Sequence, residues 1–176
     1  MSVNKSVNKS VNKSVNKGFH HLGLATHNMD ATLDFYERVL GFETRVCDLM
    51  SPQAGGKIRH AFLDAGDGEL IAFMECTEVP GISDDFDAGL NRGLGITGGV
   101  LHFAFKADDE ADLILRRQQL QKMDVKVTDV VDHGWCKSIY FMDPNHLQLE
   151  FCALTDGYNP GLVKDRESSA WKALAR

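Results

Sequence analysis

With 176 residues, a hydrophobic fraction of 43% and a formal net charge of −6, the chain suits one well-buried domain and holds no apolar run of membrane-spanning length. The charge is uneven: the first 17 residues carry four Lys and no acid, leaving 15 basic against 25 acidic residues, a formal −10. That balance argues against nucleic acid or an anionic membrane surface as the main partner. Four scattered cysteines (Cys47, Cys76, Cys136, Cys152) without a Cys-x-x-Cys pair point to reduced thiols and a cytoplasmic setting.

Residues 2–17 are Ser-Val-Asn-Lys repeated four times, a low-complexity segment with too thin an apolar stripe to fold. Residues 1–17 are therefore expected to form a disordered tail. A strand is expected over 19–26, then a helix opening at Met29-Asp30 and stopped by Gly41, with Leu33, Phe35, Tyr36, Val39 and Leu40 at helical spacing. Residues 42–50, 57–64 and 69–76 read as three strands, the last two joined through Gly66-Asp67-Gly68. The Gly- and Asp-rich stretch 77–98 is a long connector or lid.

The pattern then repeats. A strand over 99–106, a helix over 108–123 capped by Asp108 or Asp109, and strands over 125–131, 137–142 and 147–152 complete a second β-α-β-β-β unit. The chain is thus an α+β duplication of modules 18–76 and 99–153, together one domain over 18–153, with a polar tail from 154 to 176 that has a short helix over 168–176.

Superposing the modules gathers scattered residues. His21 and His102 take the same place in the two opening strands; Glu150, in Leu149-Glu150-Phe151, matches Ala72, in Ile71-Ala72-Phe73. Alternation puts Glu150 on a face with Gln148 and Cys152, opposite Leu147, Leu149 and Phe151. Taken alone, Glu150 is a strand carboxylate facing water. With His21 and His102 at equivalent repeat positions it becomes a two-His, one-carboxylate set, the donor pattern of a non-haem Fe(II) centre. Glu75 or Glu69 could add a fourth ligand and shift the site toward Zn, Ni or Co and Lewis-acid chemistry, and Mn, Zn or Ni is the alternative ion to Fe(II).

The double module, with His21-Leu22-Gly23-Leu24 at its start and Phe35-Tyr36-Glu37-Arg38-Val39-Leu40-Gly41-Phe42 closing the first helix, resembles the vicinal oxygen chelate superfamily. That resemblance implies a curved, half-open barrel-like sheet around a metal cleft. His133, Ile139, Tyr140, Asp143, Pro144 and Glu150 match the spacing of the type I extradiol dioxygenase signature, whereas His146 stands where that signature has Gly or Pro. The resemblance implies Fe(II)-dependent cleavage of a catechol-like diol by dioxygen, with metal on His21, His102 and Glu150 and with His133 and Tyr140 as catalytic groups. The family's acid/base histidine of the first module has no clear counterpart; Glu69 falls near its place and His60 is the best substitute. The alternatives are a glyoxalase- or epimerase-like lyase or isomerase and a small-molecule-binding protein of the resistance type. A small-molecule substrate, dioxygen and a second copy in a homodimer are the expected partners.

Overall fold

A computed structural model describes residues 18–155, so the expectations for the Ser-Val-Asn-Lys tail and for a helix over 168–176 lie outside the described residues. Strands β1 (His21–Thr26), β2 (Glu43–Met50), β3 (Lys57–Asp64) and β4 (Leu70–Thr77) form one sheet in the order β1-β4-β3-β2. Strands β5 (Phe103–Lys106), β6 (Val131–Asp132), β7 (Cys136–Met142) and β8 (Gln148–Leu154) form a second in the order β5-β8-β7-β6. In both, the opening strand runs parallel to the closing one, which needs a helical crossover, and the remaining pairs are antiparallel. The duplication extends to register. Gly23 pairs with Ala72 and Ala104 with Glu150, so His21 and His102, each two residues earlier, are equivalent.

The two sheets remain separate, curved and unclosed. Helix α3 (Glu110–Lys122) is continuous and capped by Asp109, whose side chain accepts from Asp112 N–H. The first helix is not continuous: α1 (Met29–Asp34) passes into a π-helical turn, Phe35–Val39, and Phe42 N–H reaches back to Tyr36 C=O at 2.9 Å. A four-residue helix α2 (Leu90–Gly93) interrupts the connector.

The strand expected over 125–131 is largely absent. Val125, Val127 and Val130 do pack on the core, the first two as alternation implies, but Arg117 takes the Thr128 carbonyl and Val127 meets Phe141 only through an isolated bridge. Apolar alternation reports burial; ladder pairing needs a continuous partner, and β6 is reduced to two residues.

One core holds both modules. Tyr36, Leu63, Phe73, Leu113, Ile139, Phe141 and Leu149 are almost wholly buried in a shared cluster, each worth roughly 1.5–3 kcal/mol in removed apolar surface. The turn between β7 and β8 is keyed into this core by polar bonds. Buried Tyr36 donates to Asp143 Oδ2 at 3.1 Å, and Asn145 Nδ2 donates to Thr32 Oγ1 at 3.1 Å while its Oδ1 accepts from Thr26 Oγ1 at 2.7 Å. The Asp143-Pro144-Asn145 motif therefore fastens the second module to the first helix besides turning the chain.

Candidate metal centre

Glu150 is the organising side chain. Its strand alternates so that Leu149, Phe151 and Ala153 enter the core, while Glu150 faces away from it yet keeps only 5% of its surface exposed. A carboxylate so placed must be matched by donors or a cation. Ser138, wholly buried on β7, donates its hydroxyl to Glu150 Oε1. The second oxygen, Oε2, lies 3.0 Å from His102 Nε2.

The other nitrogen of that imidazole decides what this contact requires. His102 Nδ1 lies 2.9 Å from the carbonyl of Gly99, which can only accept, so Nδ1 carries a proton. Nε2 then faces Glu150 Oε2 with a lone pair toward a lone pair unless a second proton or a cation lies between them. An imidazole that donates one N–H to a backbone carbonyl and aims its other nitrogen beside a carboxylate has the orientation of a metal ligand. These two side chains would offer a divalent ion two of its donors.

Tyr140 pairs with Glu150 across the ladder and sets its ring edge-on to His102, with centroids 6.1 Å apart. His133, in the exposed loop before β7, places Nε2 3.0 Å from the Tyr140 hydroxyl. Burial first, and the Glu150 charge after it, push the Tyr140 phenol above its ordinary pKa against a hydrogen bond from Ser138. Tyr140 therefore stays a neutral donor near neutrality, and His133, Tyr140, Ser138, Glu150 and His102 form one connected group.

The remaining expected residues lie on the other sheet. His21, at the exposed start of β1, lies edge-on to Phe62 (5.3 Å) with Nδ1 2.8 Å from His20 Nδ1. His60, on β3, packs its ring at a tilt against Phe62, centroids 4.3 Å apart, and leaves its buried Nε2 without a hydrogen-bond partner. Within one chain His21 does not join His102 and Glu150; among the described residues no three His, Cys, Asp or Glu side chains gather in a metal-binding group. Neither alternative ligand is free. Glu75 accepts Met29 N–H at 3.1 Å and pairs with Arg59, and Glu69 pairs with Lys106 at 3.3 Å.

Ser138 escaped the sequence reading. A signal was present, since alternation sets Ser138, Tyr140 and Met142 on one face of β7, but the strand-to-strand register that lays this face beside Glu150 is a long-range property.

A sequence profile of the Glyoxalase/Bleomycin resistance protein/Dioxygenase superfamily matches residues 18–151. The chain belongs to that superfamily. Members of the superfamily commonly bind divalent metals and small molecules and often form dimers. A Bacillus subtilis (strain 168) protein named "Putative ring-cleaving dioxygenase MhqO" is 26% identical over 148 residues, 84% of this chain and 40% of its own length. The chain thus spans about two fifths of that relative. A glyoxalase family protein from Enterococcus faecalis aligns at TM-score 0.55 with 25% identity over 77% of this chain and 97% of its own. The fosfomycin resistance protein FosX from Listeria monocytogenes aligns at 0.56 with 18% identity over 80% and 96%, a likeness of superfamily fold alone.

Proposed function

We propose that the chain is an Fe(II)-dependent, extradiol-type dioxygenase that opens a catechol-like ring. The observation carrying this reading is the His102–Glu150 contact at 3.0 Å, with the opposite His102 nitrogen already committed to Gly99. His21 supplies the third ligand from a second copy, since the two sheets of one chain keep it apart from His102 and Glu150. A two-His, one-carboxylate set leaves positions open for a diol and for dioxygen. Iron held there would supply a Lewis acid able to bind both diol oxygens and to pass electron density toward dioxygen.

The chain's own groups do the rest. Ser138 fixes Glu150 through one oxygen and leaves the other for the ligand position. Tyr140, kept protonated, donates a hydrogen bond to a substrate oxygen, and His133 takes up or returns a proton at Nε2 through the Tyr140 hydroxyl. His60, with its Nε2 unpartnered, enters the same site with His21 and offers a second proton acceptor. A lyase- or epimerase-type centre with four ligands has little support. Ala72 stands where the fourth donor would be, and Glu75 and Glu69 are paired elsewhere.

Two measurements test the reading. Anaerobic Fe(II) loading followed by a catechol in air should consume dioxygen at an electrode and yield a ring-opened chromophore; turnover without oxygen uptake refutes the dioxygenase. Separately, His21→Ala and Glu150→Ala should each abolish Fe(II) binding, and subunit exchange between them should restore about a quarter of the sites, because half the mixed dimers' pockets are intact. A well-folded mixture that regains none refutes the shared site.

A further inference from the structure

We infer that the cleft between the first sheet and the connector is the subsite for an apolar substituent of the substrate, so that the ring acted on is neutral and carries an alkyl or aryl arm. This deepens the proposed function, resting on it for the reaction but not for the binding. The cleft measures about 500 Å³, within the range of small-molecule sites. Its floor is Gly23 and Ala25 of β1 with Met74 and Cys76 of β4. Gly23 follows His21 by two residues on one face, and Met74 is the cross-strand partner of His60, so the floor continues from the histidines of the first module. The small side chains are what open it: Gly23 and Ala25 leave β1 nearly bare where a larger residue would fill the space.

The opposite wall is the connector, which contributes Ile82, Phe86 and Leu90. It is pinned by polar bonds rather than by closing onto the sheet. His27 Nε2 donates to the Phe86 carbonyl at 2.6 Å, and the His27 ring packs at a tilt on the Phe86 ring with centroids 4.1 Å apart. Asn91 grips Leu101 at two points, donating to its carbonyl at 2.6 Å and accepting its N–H at 2.8 Å. The wall therefore stands off the floor with apolar side chains on both sides, a lining from which an apolar group displaces water favourably.

The lining also selects by charge. Among the described residues Asp87 is its one ionisable group besides the Cys76 thiol, and the Asp87 carboxylate is taken by Arg92 at 2.9 Å and Gly89 N–H at 2.9 Å. Among the described residues no cation lines the cleft to receive a carboxylate, phosphonate or glutathionyl arm. A hydrocarbon arm loses nothing by entering.

Calorimetric titration of the metal-free protein with phenol, 4-ethylphenol, 4-butylphenol and 4-hydroxybenzoate tests this without any turnover. Affinity should rise about 4-fold per buried methylene, and 4-hydroxybenzoate should not bind measurably. Ala25→Phe, which fills the floor, and Ile82→Asp, on a half-exposed side chain that tolerates a charge, should each weaken 4-butylphenol by about 10-fold or more while thermal melts show both folded. An affinity independent of chain length, or one indifferent to both variants, overturns the proposal. So does an Ile82→Asp protein that dissociates into monomers yet binds 4-butylphenol as before, for the cleft is then an interface. Should iron-loaded protein consume no dioxygen while the phenol series behaves as stated, the dioxygenase reading falls and the apolar subsite stands.

Discussion

Replacing Ser138 by Ala removes one oxygen atom from the centre of the second module. Ser138 is wholly buried, Glu150 is 5% exposed, and the serine hydroxyl is the donor to Glu150 Oε1. Water cannot readily take its place at that burial, and the nearby Cys136 thiol is at best a weak donor. A hydrogen bond to a charged group contributes about 1.5–3 kcal/mol, and an abandoned buried acceptor costs a similar amount, so the loss should be about 2 kcal/mol. For a chain of this size that corresponds to a fall of about 4–8 °C in Tm. Urea unfolding at neutral pH measures it, and a double-mutant cycle assigns it: in a Glu150→Leu background the same Ser138→Ala change should cost less than about 0.5 kcal/mol. The Fe(II) affinity of Ser138→Ala should drop by about 10-fold, since the carboxylate is then free to rotate. Equal costs in both backgrounds, or a loss below about 0.5 kcal/mol in the wild-type background, would refute the idea that Ser138 holds Glu150.

Three further outcomes are expected. His146 closes the β7–β8 turn at φ 61, a left-handed conformation that costs a side chain about 1–2 kcal/mol, so His146→Gly should raise stability in urea by about 0.5–1 kcal/mol. Burial, and then the Asp143 charge, hold the Tyr36 phenol well above its ordinary pKa of 10.0. With the folded pKa above the unfolded one, the unfolded chain loses that proton first. The Tyr36 contribution is full well below pH 10.0 and is lost as pH rises through that value toward the folded one, so unfolding free energy should fall from about pH 9 upward and fall less in Tyr36→Phe. Cys136 is buried, and burial together with the neighbouring Cys152 thiol pushes it up to about 11; iodoacetamide at mildly alkaline pH should label exposed Cys47 first and leave Cys136 intact, as peptide mass spectrometry reads directly.

Local alternation was enough to place Glu150 with Gln148 and Cys152 and to send Leu149 and Phe151 inward, because side chains of a strand point to opposite faces whatever it pairs with. Repetition was enough to equate His21 with His102 and Ala72 with Glu150, because two copies of one module share one register. The βαβββ order followed from the same two signals. Helix continuity and ladder formation did not. The π-helical turn at Phe35–Val39 and the broken pairing near Thr128 depend on what the backbone finds across the core, and apolar spacing is blind to that.

The site divides in the same way. Residue types and equivalence named His21, His102 and Glu150 as candidate donors, but which of them meet within one chain is decided by which strands pair and which lie on separate sheets. Pairing of β5 with β8 brings His102 to Glu150 inside one sheet, and Tyr36 on Asp143, with Asn145 on Thr26 and Thr32, locks that module to the first, where His21 stands on a separate sheet. Those bonds join residues more than a hundred positions apart, and the identity of either partner says nothing of the other. The composition of each strand was therefore written locally, whereas Ser138 under Glu150 depends on the register of the β7–β8 pair and the cleft beneath the connector exists only because distant segments pack together, burying polar groups that must then find one another.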